Sequence, residues 1–272
     1  MFKIMDKLTK LKEELIKYDK LAVAYSGGVD STFLLKVAHE VLGDKVVALT
    51  ADSCFFTKDE RRSTKDFCNK EGIQHVFVEV DVLSDKNIKL NPPNRCYYCK
   101  SRIFSAMKQA ANSIGITTVA EGSNMDDLSD YRPGLKAIQE LTVISPLRTA
   151  GLYKEEIRIL SRNIGLDTWQ NPSMACLASR IEYGEELTDE SLRRIEQAEK
   201  LLRDMGFSQC RVRKHGSIAR IEVLPEEIKS LLDDNRRTLV VEGLQAMGFS
   251  YVTIDMKGFR AGSMNETISK NV

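Results

Sequence analysis

Short apolar runs alternate with longer segments in which apolar residues recur every three or four positions. "KLAVAY" is expected to be a strand running into a glycine turn, and "DSTFLLKVAHEVLG" a helix stopping at Gly43. "KVVALTAD" repeats the strand pattern, "KDERRSTKDFCNKEG" the helix, and "HVFVEVDV" a third strand. A polar stretch with two prolines, "SDKNIKLNPPN", precedes the helix "CYYCKSRIFSAMKQAANSIG". A strand "TTVAEG", a helix around "GLKAIQEL", a strand "LTVISPL" and a helix "YKEEIRILSRNIG" follow. This order predicts an α/β fold: a parallel sheet with helices on both faces, binding ligands at the carboxyl ends of its strands. The opening "MFKIMDKLTKLKEELIKYDK" reads as an amphipathic helix rather than a signal peptide.

The pattern changes after "DTWQNPSMACLASRIEYG". "TDESLRRIEQAEKLLRDMG" is a helix with Thr188 as N-cap and Asp189 and Glu190 in its first turn. "QCRVRKHGSIARIEVL" reads as a hairpin turning at His215-Gly216-Ser217. A long helix, "PEEIKSLLDDNRRTLVVEGLQAMG", and a last strand, "YVTIDM", complete an α+β unit. The chain is therefore read as an α/β domain over 1–168, a connecting segment over 169–184 that carries Cys176, and a smaller C-terminal α+β domain over 185–272.

Composition narrows the function little. A net charge of +1 gives no basic footprint for a nucleic acid or an anionic membrane. No run approaches the roughly 18 apolar residues of a membrane span. The six cysteines are scattered as in chains from reducing compartments, so thiols and a cytoplasmic location are expected rather than a disulfide framework. Cys54, Cys68 and Cys210 lie in ordinary segments, Cys96 and Cys99 form a C-x-x-C, and Cys176 stands apart.

"AYSGGVDST", residues 24–32, falls where the first strand meets the first helix of the sheet. Two glycines let backbone approach a phosphate, and the N–H groups of a helix start favour an anion. The string is neither G-x-x-x-x-G-K-[ST] nor G-x-G-x-x-G. Taken alone, "SGG" reads equally well as a glycine turn opening a helix. The whole S-G-G-x-D-S string resembles the pyrophosphate loop of the N-type ATP pyrophosphatases, the PP-loop superfamily with an adenine nucleotide alpha-hydrolase-like fold. That resemblance implies cleavage of ATP between its α and β phosphates. Ser26, Gly27, Gly28, Asp30 and Ser31 would cradle the pyrophosphate, with Asp30 helping to hold Mg²⁺. "EGSNMDD", with Gly122 and Asp127, and "SPLRTAGLYKEEIR", with Lys154, resemble two further superfamily segments. Read singly, Asp127 is a helix cap and Lys154 part of a solvated face.

"NRCYYCKSRIF", "NMDDLSDYRPG" and "NPSMACLASRIEYGEELT" together resemble the LarE-type ATP-dependent sulfur transferases of nickel-pincer nucleotide biosynthesis, the cofactor of lactate racemase. The likeness runs over nearly the whole chain. It implies adenylation of a carboxylate of pyridinium-3,5-biscarboxylic acid mononucleotide, then displacement of AMP by sulfur to give a thiocarboxylate. In one branch the sulfur comes from the cysteine matching Cys176, which becomes dehydroalanine. Here Cys96 and Cys99 are added, and in another branch three cysteines hold a [4Fe–4S] cluster with one iron left for exogenous sulfide. A zinc site is the weaker reading of Cys96, Cys99 and Cys176, because His39, His75 and His215 belong to other elements. Packing in the core remains a further alternative for Cys176. A tRNA thiolase of the same superfamily and a non-catalytic nucleotide or iron–sulfur carrier are the other classes.

The implied substrate carries a phosphate and two carboxylates. Arg211 and Arg213 alternate along a strand, so they share a face, and the family places an arginine pair there for the phosphate. Arg180 and Lys100 are candidates to neutralise the carboxylate under attack. Trp169 is read as a core residue; Glu199 and Glu222 are candidates for a second cation, but as lone glutamates on a helix and a strand they are read as solvated acids. The resemblance further implies a homo-oligomer that takes sulfide or another sulfur donor and needs no nucleic acid or membrane.

Overall fold

The computed structural model describes residues 2–128, 133–171, 175–260 and Ser263, with the backbone alone at Phe2 and Lys3. Parts of "NMDDLSDYRPG" and "NPSMACLASRI" therefore lie outside the described residues. The chain divides into two compact units: Met1–Val82 with Asn94–Met174, and Leu83–Pro93 with Ala175–Val272.

The first unit is a four-stranded parallel sheet of order β3-β2-β1-β4, built from β1 (Leu21–Ala24), β2 (Val46–Asp52), β3 (Gln74–Glu79) and β4 (Val119–Ala120). Successive strand residues point to opposite faces. Leu21, Val23, Val46 and Ala48 accordingly enter one apolar cluster with helices Phe2–Leu15, Val29–Leu42 and Lys154–Asn163. Ala22, Val47 and Leu49 enter a second with helices Arg95–Ser113 and Gly134–Glu140. Both faces are thus covered, as the apolar runs predict for a parallel sheet. Each fully buried leucine, such as Leu21 or Leu49, contributes about 2 kcal/mol of transfer free energy.

Helix ends follow local chemistry. Thr57 and Glu60 form a reciprocal capping box at the start of Lys58–Glu71, and Gly72 closes that helix at φ 68°. The expected strand "LTVISPL" is reduced to one parallel bridge, Ala120 to Ile144. Thr142 sits at φ 54°, and Pro146 opens the short helix Pro146–Thr149, so extended backbone survives only briefly between them.

The second unit carries a three-stranded sheet of order β5-β6-β7: β5 (Arg211–His215), β6 (Ile218–Glu222) and β7 (Tyr251–Ile254). The β5–β6 hairpin turns through Gly216 at φ 57°, and β7 joins β6 in parallel. Helices Asp189–Asp204 and Asp234–Ala246 bury Ala198, Leu202, Val240 and Leu244 against Val212, Ala219 and Ile221. The single long helix expected over 225–248 is broken. Asp233 leaves the helical conformation, at φ −50° and ψ 135°, and its side chain accepts from Asn235 N–H, which restarts the helix as Asp234–Ala246.

Candidate active site

The order of the first sheet reverses between β1 and β4, so a crevice is expected beyond their carboxyl ends. After β1, Tyr25 N–H still donates to Leu49 O at 2.8 Å before the chain turns into helix Val29–Leu42. Gly27 takes φ 78°, a left-handed conformation that a side chain would strain. Ser31 Oγ donates to Gly28 O at 3.1 Å and accepts from Ser26 N–H at 3.3 Å. The Ser26 and Ser31 hydroxyl oxygens are 3.1 Å apart. The loop is therefore closed on itself, with the start of a 14-residue helix behind it. That geometry and the helix dipole favour a bound anion.

A second wall comes from the turn after β4. A Cβ at Gly122 would lie 3.0 Å from Ser31 N and 3.3 Å from Asp30 C, so this backbone rests directly on the first helical turn. Asn124 Nδ2 donates to Asp30 Oδ1 at 3.4 Å, and Asn124 N–H to Asp127 Oδ2 at 3.0 Å. Asp126 Oδ2 accepts from Lys154 N–H at 2.7 Å, and Lys154 Nζ is ion-paired with Asp30. Ser26, Gly27, Gly28, Asp30, Ser31, Gly122, Asp127 and Lys154 thus come together within one unit. Glu121, Asn124 and Asp126 complete the network and were missed as site residues. Their signal is the polar string following a two-residue strand, where short side chains bond neighbouring backbone.

Cys96 and Cys99 stand in the first two turns of Arg95–Ser113, spaced i and i+3 on one side of the helix, Cys96 exposed and Cys99 partly so. Lys100 lies one residue on, its aliphatic stem covering Gly134. Trp169 is not in the core. It is half-exposed, with Arg162 Cζ 4.9 Å from the ring centroid and its carbonyl accepting from Arg158.

In the second unit, Cys176 is exposed and caps the short helical turn Leu177–Arg180. Arg180 NH1 donates to Cys176 O at 3.1 Å and to Ala175 O, while Nε and NH2 reach the two oxygens of Glu199 at 2.8 and 3.1 Å. Arg213 repeats the motif: Nε and NH2 meet Glu222 at 3.2 and 2.9 Å, and NH1 donates to Ser179 O at 2.8 Å. Glu199 and Glu222 are therefore not solvated acids. They are 3% and 0% exposed, because the guanidinium forks compensate their charge. Val212 N–H also donates to Glu199, at 3.2 Å. Arg211 projects from the same strand face as Arg213, over the Phe259 ring at 5.2 Å. Burial, then the Arg180 charge, lowers its pKa to about 10, which leaves it charged at neutral pH.

Asn91 anchors the segment that follows Cys176. It is fully buried at φ 52°, donates Nδ2–H to Glu182 O at 2.8 Å and Ile181 O at 3.3 Å, and its carbonyl accepts from Gly184 N–H at 2.9 Å. Of the remaining thiols, Cys68 and Cys210 are buried and raised by that burial to about 12, which makes them poor ligands and nucleophiles. Among the described residues, no group of three or more His, Cys, Asp or Glu side chains is set out as a metal site. No described helix is long and apolar enough to cross a membrane.

A parallel sheet with a self-closed S-G-G-V-D-S loop at its topological switch point defines an ATP-using enzyme of the PP-loop ATP pyrophosphatase superfamily. No family model matches the chain. It is 39% identical to the pyridinium-3,5-bisthiocarboxylic acid mononucleotide synthase of Lactiplantibacillus plantarum, over 99% of this chain and 98% of that protein. An uncharacterized protein of Synechocystis sp. is 40% identical over 97% of this chain and 98% of its own length. One subunit of the glutamine-hydrolyzing GMP synthase of Thermoplasma volcanium is 26% identical over 60% of this chain and 57% of its own length. The chain belongs to the LarE-type ATP-dependent sulfur transferases.

Proposed function

We propose that this enzyme adenylates the carboxylates of pyridinium-3,5-biscarboxylic acid mononucleotide with ATP and converts them to thiocarboxylates. The observation that carries the reading is the loop at the β1–β4 switch point, with Asp30 and Lys154 paired beside it, in a chain similar end to end to a synthase named for that product. The helix-start N–H groups and the Ser26 and Ser31 hydroxyls would receive the departing pyrophosphate. Lys154 would offset its charge. Asp30 offers the oxygen donor that a Mg²⁺ ion takes, and that ion would neutralise charge on the phosphates.

A carboxylate is a poor electrophile. Its oxygen attacks the α phosphorus, pyrophosphate leaves, and the acyl adenylate can then react with sulfur. As the C–S bond forms, the acyl C–O bond breaks and AMP departs. Arg211, with Arg180 and Arg213 nearby in charge, is the anchor proposed for the substrate phosphate. Lys100 is proposed for the carboxylate under attack.

For the sulfur, the donor types fit a [4Fe–4S] cluster: Cys96 and Cys176 are exposed and Cys99, like Cys54, is partly so, whereas Cys68 and Cys210 are withdrawn. Cys96, Cys99 and Cys176 would hold it, and the cluster would supply an open iron for hydrosulfide. The second reading, with the Cys176 sulfur given up, draws on the exposure of that thiol. Assembly as a homo-oligomer and a cytoplasmic location complete the proposal.

The test is anaerobic purification with iron and sulfide analysis, then AMP release with the biscarboxylate mononucleotide and intact mass after turnover. Iron with retained mass, and loss of activity in Cys96→Ala, is the expected result. Loss of one sulfur atom from Cys176 moves the source to the protein itself. Absence of AMP formation overturns the adenylation.

A further inference from the structure

We propose that Glu121 is a positioning residue for ATP, its carboxylate holding the turn that seats Gly122 against the pyrophosphate loop. The inference rests on the assignment of ATP to that loop. Glu121 leaves β4 with its backbone N–H donating to Ile144 O at 2.9 Å, and it is 6% exposed. Oε2 accepts from Ser123 N–H at 3.0 Å and from Ser123 Oγ at 2.7 Å, while Oε1 accepts from the Ser145 hydroxyl. Among the described residues it makes no ion pair with a lysine or arginine.

A buried carboxylate without a cation is costly, and beside a triphosphate site its charge is also repulsive. It persists where its geometry fixes something. Three donors converge on this group, and a carboxylate is the side chain that only accepts. The turn it ties, Glu121–Ser123, contains the glycine whose missing Cβ lets the backbone lie on Ser31 N and Asp30 C. Ser145 fastens the other side of the same carboxylate. Asp30 and Ser31 therefore keep their places through the turn that this carboxylate ties. Truncation to alanine would strand two hydroxyls and one backbone N–H, and would free Gly122 to move off the helix start.

The experiment compares the full chain with Glu121→Ala, Glu121→Gln and Ser145→Ala. It reads ATP·Mg²⁺ affinity by titration calorimetry, AMP formation as separate kcat and KM, and thermal unfolding. We expect Glu121→Ala to lose about tenfold to a hundredfold in ATP affinity, the order that follows when a hydrogen bond to a charged group is misaligned. Glu121→Gln should recover most of it by keeping an oxygen on Ser123, and Ser145→Ala should fall between. A Glu121→Ala chain that unfolds earlier yet binds ATP like the wild type overturns the proposal, since its role is then structural only. If that variant does not fold, wild-type affinity in Ser145→Ala overturns it equally. A wild-type chain that binds no ATP overturns the assignment of the loop, and the inference with it.

Discussion

In the first unit, the polar groups around the loop are held mainly by neutral donors and short turns. Ser26 bonds Ser31, Asn124 bonds Asp30 and Asp127, and Glu121 bonds two serines. The ion pair beside them, Lys154 with Asp30, has side chains 31% and 21% exposed. In the second unit, the segment after Cys176 is held by two guanidinium–carboxylate pairs whose side chains are 6% exposed or less. The contrast assigns different consequences to similar-looking charges. A half-exposed pair leaves little stability behind when cut, and remains able to exchange its partner for a ligand. A buried pair leaves an uncompensated charge when cut, so it is a fixture of the fold.

The largest effect should therefore come from Glu222→Ala. It strands the Arg213 guanidinium and removes a contact from Arg220, whose NH2 lies 3.3 Å from Glu222 Oε1. A loss of about 3–5 kcal/mol in urea unfolding is expected. Replacing Arg213 and Glu222 together by methionine and leucine should recover most of that loss, because no lone charge remains. A cost under about 1 kcal/mol for the single change would place the pair on the solvated side of the comparison.

Lys154→Ala is the matching cut in the first unit, and it should separate activity from stability. ATP-to-AMP turnover is expected to fall about 10²–10³-fold, the usual loss when one group that stabilises transition-state charge is removed. Unfolding free energy should change by about 1 kcal/mol or less. The reverse outcome, an unstable chain with normal turnover, would erase the distinction between the two regions.

How much of this was legible in the sequence follows from the range of each interaction. The loop was readable because Ser26, Gly27, Gly28, Asp30 and Ser31 act within six residues, where spacing and backbone geometry are coupled. The sheet was readable because "LAVA" and "VVAL" are unbroken apolar runs, whose successive residues feed the two apolar clusters on its opposite faces. Glu199 and Glu222 were misread because their burial depends on Arg180 and Arg213, which a register must bring to them. For Glu222 the register is that of the hairpin: Arg213 lies opposite Arg220, and Glu222 is its diagonal neighbour. The break at Asp233 was missed because helical periodicity runs on through it, while a side-chain cap restarts the helix locally. Asn91 gave no signal at all, since its acceptors are carbonyls 90 and 91 residues away.

Asn91 offers an intermediate test, since it holds the second unit's cysteine segment without any charge. Asn91→Ala removes the donor to Ile181 O and Glu182 O and puts a Cβ-bearing residue at φ 52° without a compensating bond. About 2 kcal/mol of destabilisation is expected. Asn91→Gly loses the same hydrogen bonds but relaxes the backbone, so it should cost less than the alanine variant by some tenths of a kcal/mol. Equal losses would show that the left-handed conformation stores no strain, and that the side-chain bonds account for the whole effect.

The smallest effect expected is a pH dependence in the first unit, from His75. Its Nε2 lies 2.8 Å from Thr50 Oγ1, and that hydroxyl donates to Tyr25 O at 2.7 Å, so Nε2 must carry the hydrogen. Burial, reinforced by the nearby Arg61 charge, lowers the His75 pKa to about 4. The unfolded chain binds this proton near pH 6.5, so the stabilisation is complete above that value and is lost as pH falls towards 4. The ring is only half-buried, and screening should hold the effect to about 1 kcal/mol. Melting temperatures of the wild type and His75→Gln should therefore run parallel above pH 7 and converge as the wild type falls faster below 6.5. Curves that stay parallel throughout would mean that the ring titrates as it does in water, leaving the first unit without a buried titrating group beside Thr50.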